Sequence, residues 1–188
     1  MHKRILLAIL IILSAMPQAK SQIYYDSNHH QFNADSIRKQ FDDGPYFTLF
    51  KDNYFIAGVP VGHKITSENS DVKFQVSIAQ RLTKSTLPFH TYLFIAYSQK
   101  TFWNVFQESL PMRDLNFNPG IGLSKLLIVK NKLIGKLTLM IEHESNGRDG
   151  EESRSWNRIS FGGNIYLTPN FMVHAKGWIP IVDGENKR

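Results

Sequence analysis

Residues 143–158 read His143-Glu144-Ser145-Asn146-Gly147-Arg148-Asp149-Gly150-Glu151-Glu152-Ser153-Arg154-Ser155-Trp156-Asn157-Arg158. Three of them supply the parts of a nucleophilic centre. The Ser145 hydroxyl needs a base to take its proton, the His143 imidazole is such a base, and the Asn157 amide oxygen can fix the imidazole's tautomer. The spacing favours their meeting. Asp149-Gly150 is a hairpin signal, and glycine tolerates the positive φ that such turns require. A hairpin folded about Gly150 sets His143 opposite Asn157. Opposed residues on one face have Cβ atoms roughly 4.5–5.5 Å apart, and Ser145 lies two residues along that same face.

The elements that would hold these groups are strands. Leu133, Gly135, Leu137, Leu139 and Ile141 occupy one parity, and Ile134, Lys136, Thr138, Met140 and Glu142 the other, which is the period of a two-faced strand. His143 and Ser145 continue the apolar parity. Beyond the turn, Asn157 shares a parity with Ile159, Phe161, Ile165 and Leu167, while Arg158, Ser160 and Asn164 fall on the other side. Three polar residues therefore sit on apolar faces, beside a polar loop.

The alternation extends through the chain and predicts seven strands, near Tyr46 to Pro60, Asp71 to Lys84, Phe89 to Thr101, Phe117 to Val129, Lys132 to Ser145, Ser155 to Thr168 and Asn170 to Val182. Each is long enough to cross a membrane at a tilt. Short turns at Lys130-Asn131-Lys132 and Thr168-Pro169-Asn170 contrast with longer loops at Gln107 to Asn116 and Asn146 to Arg154, the usual asymmetry of the two ends of a barrel. The predicted class is all-β, an antiparallel transmembrane β-barrel. A soluble barrel or sandwich shares the same period but turns its apolar face inward. Where His143, Ser145 and Asn157 point separates the two.

The 188 residues suffice for one domain, and their formal charge of +6 is scattered among strands and turns, which argues against a nucleic-acid partner. The chain has no cysteine and so makes no disulfide. Residues 1–21 read as a signal peptide: Lys3 and Arg4 precede the apolar run Ile5 to Leu13, and Ala19-Lys20-Ser21 offers small residues for cleavage. Its removal takes away Lys3, Arg4 and Lys20 but no acid, lowering the charge from +6 to +3. Residues 22–45 read as a polar N-terminal arm, in which adjacent His29 and His30 point apart in extended chain and lack a third ligand. Residues 46–188 form the barrel domain. Trp156, Trp103 and Tyr97 read as an interfacial aromatic belt or dimer contact, and Arg154 and Arg158 as attractors of anionic headgroups.

The block His143 to Arg148 followed by Ser153 to Arg158 resembles the outer-membrane phospholipases A, supported upstream by Tyr97-Ser98-Gln99-Lys100-Thr101-Phe102-Trp103 and by Pro111 to Pro119. The likeness runs from about Tyr46 to Glu185. The resemblance implies a bacterial outer-membrane barrel, active as a homodimer, that hydrolyses the sn-1 and sn-2 esters of membrane phospholipids, and lysophospholipids too, with calcium. It implies Ser145 as nucleophile, His143 as general base, Asn157 as its orienting partner and the Gly147 N–H as an oxyanion donor. It also implies Ca²⁺ held by the Arg148 carbonyl, the Ser153 hydroxyl and Ser109 of the partner subunit. Glu185 stands where the family tends to have an Asp used in a monomer-form calcium site. The family barrel has twelve strands against the seven expected here, so the expectation is an incomplete barrel. The alternative is a non-catalytic outer-membrane barrel fragment that keeps the motif but cannot close, leaving unpaired backbone groups that each cost several kcal/mol in lipid.

Overall fold

In a computed structural model, residues 33–181 are described. The alternation becomes a meander of antiparallel strands, each paired with its successor: β3 (Asp71–Arg81), β4 (Thr91–Trp103), β5 (Met112–Val129), β6 (Lys132–Ser145), β7 (Ser155–Thr168) and β8 (Phe171–Ile181). Two short strands, β1 (Phe47–Leu49) and β2 (Tyr54–Gly58), both lie against β3. Among the described residues the sheet does not close on itself.

The count among the described residues is therefore eight, because the strand expected over Tyr46 to Pro60 is broken. Phe50 turns in and packs on Phe94, with ring centroids 6.0 Å apart. The gap in the ladder is filled by side chains: Ser77 N donates to Asn53 Oδ1 at 2.6 Å, and Lys51 N donates to Ser77 Oγ at 3.1 Å. β5 also starts earlier than expected, because Asp114, Asn116 and their neighbours pair with β4 from Met112 onward. The preceding loop shrinks to 104–111. Lys130 and Asn131, at φ 49° and 60°, make the two-residue hairpin between β5 and β6.

The two faces have opposite chemistry. Across β8, β7, β6, β5 and β4 the register aligns Ile179, Ile159, Ile141, Ile121 and Ile95 in one row. All five are exposed, from 41% to 73%. On the other face Ser77, Ser98, Ser124, Glu142, Arg158 and Ser160 are buried. A soluble sandwich would bury the isoleucines and expose the ions, so apolar-out with polar-in decides for a membrane barrel.

Apolar residues enter the interior at the short-turn end, where Ala79, Tyr92, Phe94, Ala96 and Met140 cluster with Phe41 and Phe50 against them. Phe41 belongs to α1 (Ala34–Asp43), within the segment expected to be an arm. Its N-terminus is capped by Asn33, whose side chain accepts from Ser36 N at 2.7 Å. Its C-terminal carbonyls are met by Arg81, which donates to Phe41 O, Asp42 O and Gly44 O and stacks between the Phe41 and Tyr46 rings at 4.3 Å from each. The signal-peptide reading, the rest of the arm with His29 and His30, and Glu185 lie outside the described residues.

Candidate active site

Strands β6 and β7 pair in the register that the turn implied. Glu142 faces Arg158, His143 faces Asn157 and Ser145 faces Ser155. His143 and Asn157 are half-buried on the outward face, next to Ile141 and Ile159. His143 Nδ1 and Asn157 Oδ1 are 2.9 Å apart. With the amide oxygen as acceptor the proton sits on Nδ1, which leaves Nε2 free to accept a proton. Ser145 is half-buried on the same parity, and among the described residues its Oγ makes no hydrogen bond to His143 or to any other group. Such contacts are often long before substrate binds.

From this pair a groove of about 530 Å³ runs over the outer wall, lined by Ile141, Ile121, Ile95, Tyr97, Ile78 and Phe47 among others. It crosses from β6 to β1, four strand spacings, or about 19 Å.

The loop after β6 is organised by Asn146, which the sequence reading passed over. It is 5% exposed; its Nδ2 donates to Glu152 O at 2.7 Å, and its Oδ1 accepts from Arg148 N at 3.3 Å and Arg154 N at 3.0 Å. A buried amide satisfied wholly by backbone is invisible until the loop closes. Gly147 adopts φ 70°, and a Cβ there would lie 2.9 Å from the Phe117 ring. The loop ends in a 3₁₀ turn over Gly150–Glu152.

Arg148 and Ser153 both lie in this loop, and both are exposed. Among the described residues neither the Arg148 carbonyl nor the Ser153 hydroxyl has a hydrogen-bond partner. Two unengaged neutral oxygens beside exposed Asp149 and Glu151 suit a hard cation that completes its shell with water. Three or more His, Cys, Asp or Glu side chains do not gather into a cluster among the described residues, so a calcium site here would rest on carbonyl and hydroxyl oxygens. Ser109 stands apart, exposed in the loop between β4 and β5 at φ 67°.

Arg158 is corrected. It is 8% exposed, on the lumen side, where it meets Glu144 at 2.6 Å and Glu142 at 3.4 Å and lies under the Trp156 ring at 4.5 Å. Neither Arg158 nor Trp156 therefore faces lipid headgroups. Arg154 is paired with Asp114, and Trp103 Nε1 donates to Leu110 O at 2.9 Å, steadying its loop.

A greasy outer wall, a charged interior and a hydrogen-bonded histidine–asparagine pair facing lipid define a class: an outer-membrane β-barrel with the makings of a hydrolytic site. The chain matches the Phospholipase A1 family model over residues 49–187 and belongs to that family, the outer-membrane phospholipases A. Its location is accordingly the bacterial outer membrane. It is 30% identical over 129 residues to a phospholipase A1 of Proteus vulgaris, covering 65% of this chain and 43% of that protein. To the phospholipase A1 of Escherichia coli K12 it is 30% identical over 116 residues, covering 60% and 40%. This chain thus spans about two fifths of the length of these curated relatives.

Among solved structures, the outer membrane phospholipase of Salmonella typhi, a dimer with bound calcium, superposes with TM-score 0.63 at 25% identity, covering 75% of this chain and 60% of that one. Outer membrane phospholipase A of Escherichia coli gives 0.62 at 25% identity, covering 74% and 64%. An active-site mutant of the same E. coli protein, asparagine to alanine, gives 0.61 at 25% identity, covering 77% and 62%.

Proposed function

We propose that this chain carries the catalytic face of a calcium-dependent outer-membrane phospholipase A, with Ser145 as nucleophile, His143 as general base and acid, and Asn157 as the group that fixes the imidazole. The substrates are glycerophospholipids, cleaved at sn-1 and sn-2, and lysophospholipids. The observation that carries the reading is the 2.9 Å contact between His143 Nδ1 and Asn157 Oδ1 on a lipid-facing wall, beside an apolar groove.

Ser145 Oγ attacks the ester carbonyl while its proton passes to His143 Nε2. The ester C–O bond then breaks, and the same proton goes to the departing lysolipid oxygen. Water repeats the sequence on the acyl-serine, giving up a proton to Nε2, and the fatty acid leaves as Ser145 Oγ is reprotonated. Asn157 accepts from Nδ1 throughout, so that Nε2 is always the nitrogen that exchanges the proton. The Gly147 N–H would donate to the oxyanion; removing one such donor typically costs about 2.7–4 kcal/mol. Calcium, bound by the Arg148 carbonyl and Ser153 hydroxyl with Ser109 of the partner subunit, would add positive charge at the ester carbonyl. That arrangement makes the active form a homodimer. Glu185 would belong to a second calcium site of the monomer.

Detergent-purified protein is assayed on a long-chain phospholipid and a monoacyl ester, with calcium and with chelator. Calcium-dependent release of fatty acid, abolished in Ser145→Ala, is the expected result. Hydrolysis that survives Ser145→Ala would remove the nucleophile. No hydrolysis by the calcium-loaded dimer would leave a non-catalytic barrel that retains the motif.

A further inference from the structure

The backbone of His143 is held in an unusual way. The β5–β6 ladder pairs Gly120 with Glu142 and Phe117 with Ser145 but makes no bridge between them, where the register sets Pro119 against His143 and Asn118 against Glu144. Pro119 has no N–H to donate. The carbonyl deprived of a ladder donor is that of His143, and a side chain takes it up: Asn118 Nδ2 donates to His143 O at 2.6 Å.

Asn118 is itself locked. It is 8% exposed, and its Oδ1 accepts from Lys51 Nζ at 3.1 Å and Arg158 Nη2 at 3.4 Å. Both are cations that only donate, so the amide can turn only one way, with nitrogen toward His143. Arg158 follows Asn157 in the chain, and its remaining nitrogens reach Glu144 and Glu142, the two neighbours of His143. Glu142 is held in turn by Lys176 at 2.5 Å and by Ser160. The lumen thus grips both strands immediately behind the outward-facing imidazole and amide.

We propose that Asn118 is a positioning residue for the acyl-transfer reaction, supplying through its side chain the donor that Pro119 lacks and so holding the His143 main chain where its ring meets Asn157, on the face that Ser145 shares. The inference rests on the hydrolase reading above. Asn118 faces the lumen and touches no substrate. Its loss lowers turnover, not binding.

The test uses the full chain in detergent with calcium and a long-chain monoacyl ester, comparing wild type, Ser145→Ala, Asn118→Leu, Asn118→Asp and the double variant Asn118→Leu/Pro119→Ala. Asn118→Asp keeps the oxygen for Lys51 and Arg158 but loses the donor, which guards against a folding failure of the leucine variant. Both single Asn118 variants are expected to lose about 10- to 100-fold in kcat, the scale of a small misplacement of a catalytic group, with KM essentially unchanged. Pro119→Ala returns an N–H opposite His143 and is expected to restore most of the lost kcat. Absence of Ser145-dependent hydrolysis in wild type would overturn the hydrolase reading and this inference with it. Wild-type kcat in both single variants, a change confined to KM, or a loss that Pro119→Ala does not repair would overturn the role of Asn118 while leaving the hydrolase reading intact.

Discussion

Replacing Asn157 by alanine removes one atom from the proposed mechanism, the oxygen 2.9 Å from His143 Nδ1. With His143 neutral, that bond joins two neutral groups and contributes about 0.5–1.5 kcal/mol. When Nε2 takes the serine proton the ring becomes a cation, and a hydrogen bond from it is worth about 1.5–3 kcal/mol. Only the part gained in the transition state appears in kcat. The gain on charging, about 1–1.5 kcal/mol, is what the alanine forfeits, so kcat falls about 5- to 13-fold. That is well short of the roughly 10⁴-fold seen when the aspartate of a serine protease triad becomes asparagine, which holds the imidazole in the wrong tautomer, whereas alanine only removes a partner. The assay is initial-rate release of fatty acid from a monoacyl ester in detergent micelles with saturating calcium. Asn157→Ala at wild-type kcat would refute the orienting role, and a loss as large as that of Ser145→Ala would show that Asn157 does more than orient.

Other outcomes follow from the same geometry. Gly147→Ala forces a side chain into φ 70° with its Cβ 2.9 Å from the Phe117 ring; about 1–2 kcal/mol of strain should distort the loop and lower hydrolysis about tenfold, and undiminished activity would contradict this. Glu142→Ala leaves Arg158 and Lys176 without their shared carboxylate, 1% exposed. It should cost about 3–5 kcal/mol, read as a lower midpoint for heat-induced unfolding of the barrel on gels, and an unchanged midpoint would count against a stabilising network. Chelation of calcium should reduce hydrolysis to background and readdition should recover it, whereas full activity in chelator would exclude the metal from the reaction.

Much of the wall was legible because period two is a short-range signal. The boundaries of β6 and β7 follow from parity alone, and a turn centred on Gly150 sufficed to set His143 against Asn157. Parity also placed Arg158 opposite Asn157, and with the apolar face outward that side is the lumen, not the headgroup layer. The features that escaped depend on partners far along the chain. Nothing near Asn53 announces that its side chain will satisfy Ser77 and split the first strand. Asn118-Pro119 falls inside the strand expected over Phe117 to Val129, and only the neighbouring strand reveals it as a donor transferred from backbone to side chain. The helix over Ala34–Asp43 had a cap in Asn33, but its C-terminal partner, Arg81, lies some forty residues away.

The placement of α1 fixes the molecule's sidedness. Arg81 and Phe41 tie that helix to the end with the short turns, which in bacterial barrels is the periplasmic end. Ser145 borders the long loop at the opposite rim. On the proposed mechanism a lipid would have to stand in the external leaflet before its ester could meet the serine, so asymmetry of the bilayer itself would ration the substrate.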